Sequence, residues 1–200
     1  MQSLSLQPGT TSLATQLREQ TAALHGQVER RLGLPFSITT LAQYKACLRR
    51  FYRLYQPLET SLARFSEWPG IGLELPELLQ AAHLATDLQR LGISPHKLER
   101  APEACLPYLP DFPHALGALY VMAGSTLGSQ IILRHLTTVL GSEIAGADAF
   151  FRGHGEHTAA RWTHVRTSLE GYGEAEPGNI PHVIEGAQAT FQAIGMWMQP

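Results

Sequence analysis

Between Ala115 and Leu133 the chain carries no charged residue, yet the run A-L-G-A-L-Y-V-M-A-G-S-T-L-G-S-Q-I-I-L places glycine at 124 and 128 and small hydroxyl side chains beside them. A segment this apolar must be buried along most of its length, and it reads as the central helix of a helical assembly. Each glycine inside a helix costs about 0.5–1 kcal/mol relative to alanine. Two of them on one face therefore demand a close neighbour, either another helix or a ligand laid against bare backbone. A membrane span is the other reading of the run's length, but Ser125, Thr126, Ser129 and Gln130 interrupt it and no second segment of the kind follows. The expectation is a buried helix and no membrane span.

The rest of the chain repeats a helical period. Leu13, Leu17, Leu24 and Val28 share one face, and Thr40-Leu41-Ala42-Gln43 is a capping box opening a run with Tyr44, Leu48, Phe51, Tyr55 and Leu58. Pro57 should kink or end that second helix, and Trp68-Pro69-Gly70 breaks the chain. Pro76 suits the first turn of a third helix reaching about Leu91. Four prolines make 101–113 irregular, and Asp111-Phe112-Pro113-His114 opens the glycine-bearing helix, which runs to about Leu140. Further helices are expected at about 145–152, 156–171 and from Pro181 onward. With no alternating β pattern, the fold class is all-α: a single-domain multi-helix bundle over 11–200 behind a flexible tail, 1–10.

Composition narrows the function. Fifteen basic against 17 acidic residues, a net charge of −2, provide no polycationic face for nucleic acid. Cys47 and Cys105 have no metal or redox spacing, and the N-terminus lacks the basic and apolar regions of a signal peptide, so a cytoplasmic protein is expected. Nucleotide, nucleophile-elbow and zinc-protease signatures are absent, as are the Glu-x-x-His pairs of di-iron bundles. Gly153-His154-Gly155-Glu156-His157 holds two histidines near a glutamate, but its glycines suit a solvated connection better than a metal site.

The first helix is more informative. Arg18, Thr21, Ala22, His25 and Glu29 recur every three or four residues, a polar stripe beside the leucine face. His25 reads either as a half-buried histidine bonded to a neighbour or as a single axial metal ligand, its Nε2 on the metal and its Nδ1–H held by Glu29 or Gln27. Arg18 lies two turns back, roughly 10 Å along the axis, where it can meet an anion at the rim of a large flat group. Gly124 and Gly128 either admit another helix or receive that planar group.

Three separated segments then carry a resemblance to the heme oxygenase family. L-R-E-Q-T-A-A-L-H-G-Q-V-E (17–29) resembles the family's proximal helix, L-Y-V-M-A-G-S-T-L-G-S-Q (119–130) the distal helix of its bacterial members, and H-V-I-E-G-A-Q-A-T-F (182–191) the last helix. The resemblance implies heme b sandwiched between proximal and distal helices, acting as substrate and cofactor, with His25 as iron ligand and Glu29 beside it. It implies a distal strip of Gly124, Ser125, Gly128 and Ser129, with Phe191 lining the pocket. The heme propionates would be met by Arg18, with Thr21, Tyr120 and Arg166 or Arg161 nearby. Ser125 stands where animal members have aspartate, Ser129 replaces the second glycine of a pair, and Ile194 replaces a distal asparagine.

The activity implied is a monooxygenase reaction in which heme, O₂ and external electrons yield biliverdin, carbon monoxide and ferrous iron. A neutral histidine ligand gives less electron push than a thiolate, and a distal side without a strong acid–base group leaves oxygen to attack the ring edge. No flavin or nicotinamide motif is present, so a ferredoxin or NAD(P)H-dependent reductase is implied, with a bilin-binding photoreceptor as a further possible partner. Two alternatives predict different behaviour: a heme carrier or sensor without turnover, and a structural bundle that binds no heme.

Overall fold

The structure is a computed structural model, and it describes residues 11–198; the expected tail at 1–10 lies outside them. Among the described residues there are seven α-helices and no strand. They are α1 (Leu13–Leu32), α2 (Leu41–Leu62), α3 (Ala81–Arg90), α4 (Phe112–Leu140), α5 (Ala149–Arg152), α6 (Thr158–Ala175) and α7 (Ile180–Trp197).

Two helices, α2 and α4, begin at the signals expected of them, and α1 also carries a local cap. Ser12 accepts the Thr15 N–H, Thr40 and Gln43 form the expected reciprocal capping box, and Asp111 accepts the His114 N–H ahead of Pro113. Pro57, expected to kink or end α2, lies within a helix that continues to Leu62. A proline there leaves the Arg53 carbonyl without its helical donor. The Ala101 backbone N–H fills the gap at 2.8 Å, so the tertiary structure absorbs the defect.

The third helix departs from expectation more clearly. Pro76 opens only a short 3₁₀ turn, Leu75–Glu77, and α3 starts at Ala81. Its first N–H groups are capped from another helix: buried Glu59 of α2 accepts the N–H groups of Gln80 and Ala81 at 2.6 and 2.9 Å. Burial pushes the Glu59 carboxyl up to about 7 although both N–H donors pull it down. The helix expected at about 145–152 shrinks to α5, whose first N–H groups, Ala149 and Phe150, are bonded by the buried carboxylate of Asp87 at 2.9 and 2.8 Å. Glu170 of α6 likewise accepts the Leu13 and Ala14 N–H groups of α1 at 2.8 and 3.1 Å.

The glycine-bearing helix α4 is the centre. It packs most extensively on α7 and also on α6 and α5, while α1 lies across α7 and α6. By length and composition α4 is apolar enough to cross a membrane, but half of its most apolar window is buried within the bundle. The closest α4–α7 approach uses glycines outside the 124/128 pair. A Cβ on Gly117 would sit 1.9 Å from the Val183 carbonyl oxygen, and one on Gly186 would sit 2.1 Å from the His114 carbonyl oxygen. Both backbones touch there, and only glycine fits. Both α1 and α4 rest on α7 without extensive contact between themselves. A gap is left between them.

Candidate functional site

That gap is a cavity of about 520 Å³, in the size range of small-molecule sites. One side comes from α1, with Arg18, Thr21, His25 and Glu29, and the facing side from α4, with Tyr120, Gly124, Ser125, Gly128 and Ser129. Phe191 and Ile194 of α7 line it as well, together with Phe51, Tyr55, Phe150, Phe151 and Trp162.

The two glycines now have a physical reading. A Cβ on Gly128 would meet nothing within 4 Å, so no helix has claimed this position. A Cβ on Gly124 would lie 3.3 Å from the Trp162 ring, a side chain of the cavity wall rather than a packed backbone. The helix-packing alternative is realised at Gly117 and Gly186; Gly124 and Gly128 bare the backbone toward the cavity.

His25 has its side chain 55% exposed and rests edge-on against Phe191 with centroids 5.4 Å apart. The expected hold on its Nδ1 is not made. Its Nε2 lies 3.7 Å from Glu29 Oε1, beyond hydrogen-bond reach, and among the described residues no hydrogen bond engages the ring. The imidazole is thus an uncommitted donor at the cavity wall, unlike a core histidine satisfied by a neighbour.

On the facing side the polar groups are hydroxyls. Ser125 donates to the Met122 carbonyl at 2.7 Å and its oxygen lies 3.3 Å from Tyr55 Oη; Ser129 donates to the Ser125 carbonyl at 3.2 Å. Burial pushes the Tyr55 phenol up to about 12, against the lowering effect of Ser125, so it stays neutral at ordinary pH. The cavity-facing part of α4 brings neither carboxylate nor imidazole.

The rim cations separate. Arg18 lines the cavity; Arg166 does not, although its charge and that of Arg18 both lower the Tyr120 phenol, which burial raises above its ordinary value. Tyr120 packs against Trp162 at 5.4 Å. Arg161 is a correction to the expected set. It bonds the Glu77 carboxylate at 2.8 Å and the Glu77 carbonyl at 3.0 Å, and it lines a separate surface hollow with His157 and His164. With a carboxylate partner already in place, its charge is directed away from the cavity. The His154–His157 segment also lies elsewhere: His154 Nε2 is 3.1 Å from Gln80 Nε2, and His157 is exposed beside Glu156.

Comparison with known proteins decides the family: the heme oxygenase family model matches residues 11–200. The chain belongs to the heme oxygenase family. Its fold is similar to that of the NO- and CO-bound heme oxygenase of Neisseria meningitidis, with a TM-score of 0.74 and 20% identity over 94% of this chain and 91% of that one. It is also similar to the heme oxygenase of Leptospira interrogans, with a TM-score of 0.69 and 20% identity over 94% of this chain and 98% of the other. None of the curated proteins matches the sequence.

Heme degradation is the activity of this family, and the cavity suits heme as substrate. Its walls are largely apolar, one accessible imidazole projects from α1, bare backbone lies opposite, and a cation stands at the edge. Sequence reasoning assigned Tyr55 to the core and passed over Trp162, Phe150 and Phe151. Tyr55 shares its face with core residues of α2, and α5 is too short to show a period. A lone tryptophan among the polar residues of α6 was the one available signal for the wall.

Proposed function

We propose that the chain opens heme oxidatively to biliverdin, carbon monoxide and ferrous iron, with electrons from a separate ferredoxin or NAD(P)H-dependent reductase. The observation that carries this reading is the opposition of an uncommitted imidazole, His25, to a strip of glycine backbone and hydroxyls at Gly124, Ser125, Gly128 and Ser129 across one cavity. Heme bound there supplies the iron that carries oxygen and the ring carbon that is oxidised.

Each residue then has a task. The His25 Nε2 lone pair would hold the substrate by its iron, with the Glu29 carboxylate, one turn on, beside the ring. Gly124 and Gly128 would let the substrate approach the α4 backbone, whose bulk would leave oxygen room only toward the ring edge. Ser125 and Ser129, with their donors committed to α4 carbonyls, present oxygen lone pairs that hold water, and the Tyr55 hydroxyl anchors Ser125. The α4 wall presents neither carboxylate nor imidazole, so it would supply no strong acid to oxygen held beside it. Arg18 pairs with the propionates at the open edge, assisted by the Tyr120 hydroxyl and the field of Arg166. The aromatic wall of Phe150, Phe151, Trp162 and Phe191 excludes bulk water.

The test is hemin titration of wild type and His25→Ala, followed by reduction in air with ascorbate and catalase, then with a ferredoxin and its reductase, with pigment analysis. Wild type is expected to form a one-to-one complex and release biliverdin, whereas His25→Ala binds with an altered spectrum and turns over at least 100-fold more slowly. A wild-type complex that survives both electron sources unchanged would identify a carrier and overturn the oxygenase reading. Absence of any complex would remove the heme assignment itself.

A further inference from the structure

The overall charge of −2 conceals a division along the chain. Residues 30–58 and 112–142 together carry seven of the 15 cations, six between Arg30 and Arg53 and the seventh at Arg134, and none of the 17 acidic residues. The other eight cations share the rest of the molecule with every carboxylate. The two segments meet in space. The turn after α1 brings Phe36 edge-on to His135 of α4, with centroids 5.1 Å apart, and Leu32 and Leu34 line the cavity together with Leu127 and Ile132 of α4. On its α2 side the same turn borders a hollow of about 340 Å³ that Arg31 and Arg50 both line.

Apolar side chains project from this surface. Among the described residues six large hydrophobic side chains are exposed, and four of them, Phe36, Leu127, Ile131 and Val139, belong to these two segments. Phe36 is 76% exposed and Ile131 64%, and Leu127, Ile131 and Arg134 recur at helical spacing along one side of α4. Apolar side chains grouped in this way and bordered by cations mark a contact surface. Arg31 spends one donor on the Gly195 carbonyl at 3.1 Å and keeps the others, whereas Arg53 is paired with Glu99 and adds little.

The occupant follows from the two properties together. A nucleic acid would reward the cations but not the aliphatic Leu127 and Ile131, and a protein partner would have to match protruding side chains with recesses of its own. An anionic bilayer takes both at once. Apolar side chains enter the acyl boundary without shape complementarity, arginines stay among the headgroups, and no carboxylate is carried to the negative surface. We propose that the face formed by the turn 33–37 and the 127–139 half of α4 docks this chain reversibly on an anionic lipid bilayer, with Phe36 and Ile131 entering and Arg31, Arg50 and Arg134 among the phosphates. Helix α4 then lies along the bilayer, not across it, because its other side is the core of the bundle. The contact is independent of the heme reading, and it turns the end of the cavity where Leu34 and Leu127 stand toward lipid.

The experiment sediments the heme-free, full-length chain with phosphatidylcholine vesicles, with and without phosphatidylglycerol, at low and high salt. Wild type, the double variant Phe36→Ser/Ile131→Ser, Arg134→Glu and Tyr108→Ser are compared, with thermal melts to show that each is folded. Expected is binding to the anionic vesicles alone, weakened at least tenfold by high salt and by the double substitution and at least fivefold by Arg134→Glu. Tyr108→Ser should bind as wild type does, because its ring is comparably exposed, at 79%, but lies outside the two segments. Absence of binding to anionic vesicles overturns the proposal, as does equal binding to neutral ones, binding that survives the double substitution, or binding lost in Tyr108→Ser. A wild-type dimer that ignores vesicles and becomes monomeric in the double variant identifies a second copy as the occupant and overturns the proposal as well.

Discussion

Helix α4 carries glycines of two kinds, and their contrast shows how one residue type serves opposite ends. At Gly117 the missing side chain is filled by the backbone of α7, with Val183 O and Ala187 N both inside the space a Cβ would need. At Gly128 it is filled by nothing in the protein. Gly117 brings helices together, whereas Gly128, about three turns on, faces the gap that this packing helps to maintain. A contact motif and a ligand motif look the same in sequence because glycine states only that a side chain is absent.

The contrast ranks four substitutions by their effect on stability. Gly117→Ala, and Gly186→Ala with it, should be the most damaging, because the added carbon meets backbone that cannot rotate aside; a loss of at least ~3 kcal/mol in urea unfolding is expected, or failure to fold. A loss below ~1 kcal/mol would mean that the α4–α7 contact is soft and the contrast false. Gly124→Ala should change stability by less than ~1 kcal/mol, since the helix-propensity gain opposes the displacement of Trp162 by a few tenths of an ångström. Its signature is a shift in tryptophan emission together with altered hemin turnover. Gly128→Ala is expected to gain about 0.5 kcal/mol of stability from propensity alone while disturbing the hemin spectrum or slowing pigment release. If Gly128→Ala destabilises the protein and leaves hemin chemistry intact, the glycine belongs to packing after all.

The candidate site was legible where local pattern and chemistry coincide. His25 on a polar stripe, the two distal glycines, Arg18 and Phe191 were all found from spacing or resemblance, and all line one cavity. Arg161 was misplaced because a charge on a helix face does not reveal its partner, and Glu77 lies far away in the chain. Glu29 lies close to His25 but does not hold the imidazole, since i to i+4 spacing brings two side chains near without fixing their rotamers.

For the fold, sequence alone determined the all-helical class, the long α4, and the starts of α2 and α4. Each rests on a periodicity or a cap spanning only a few residues. Tertiary structure decided what those signals cannot contain. Carboxylates of Glu59, Asp87 and Glu170 cap the starts of α3, α5 and α1 from other helices, and Ala101 repairs the gap left by Pro57. An unsatisfied N–H or carbonyl must find a partner when buried, but nothing requires that partner to be near in the chain. The cavity has the same origin: neither α1 nor α4 encodes the gap, which lies between two helices that both rest on α7, α4 through the backbone contact at Gly117 and Gly186.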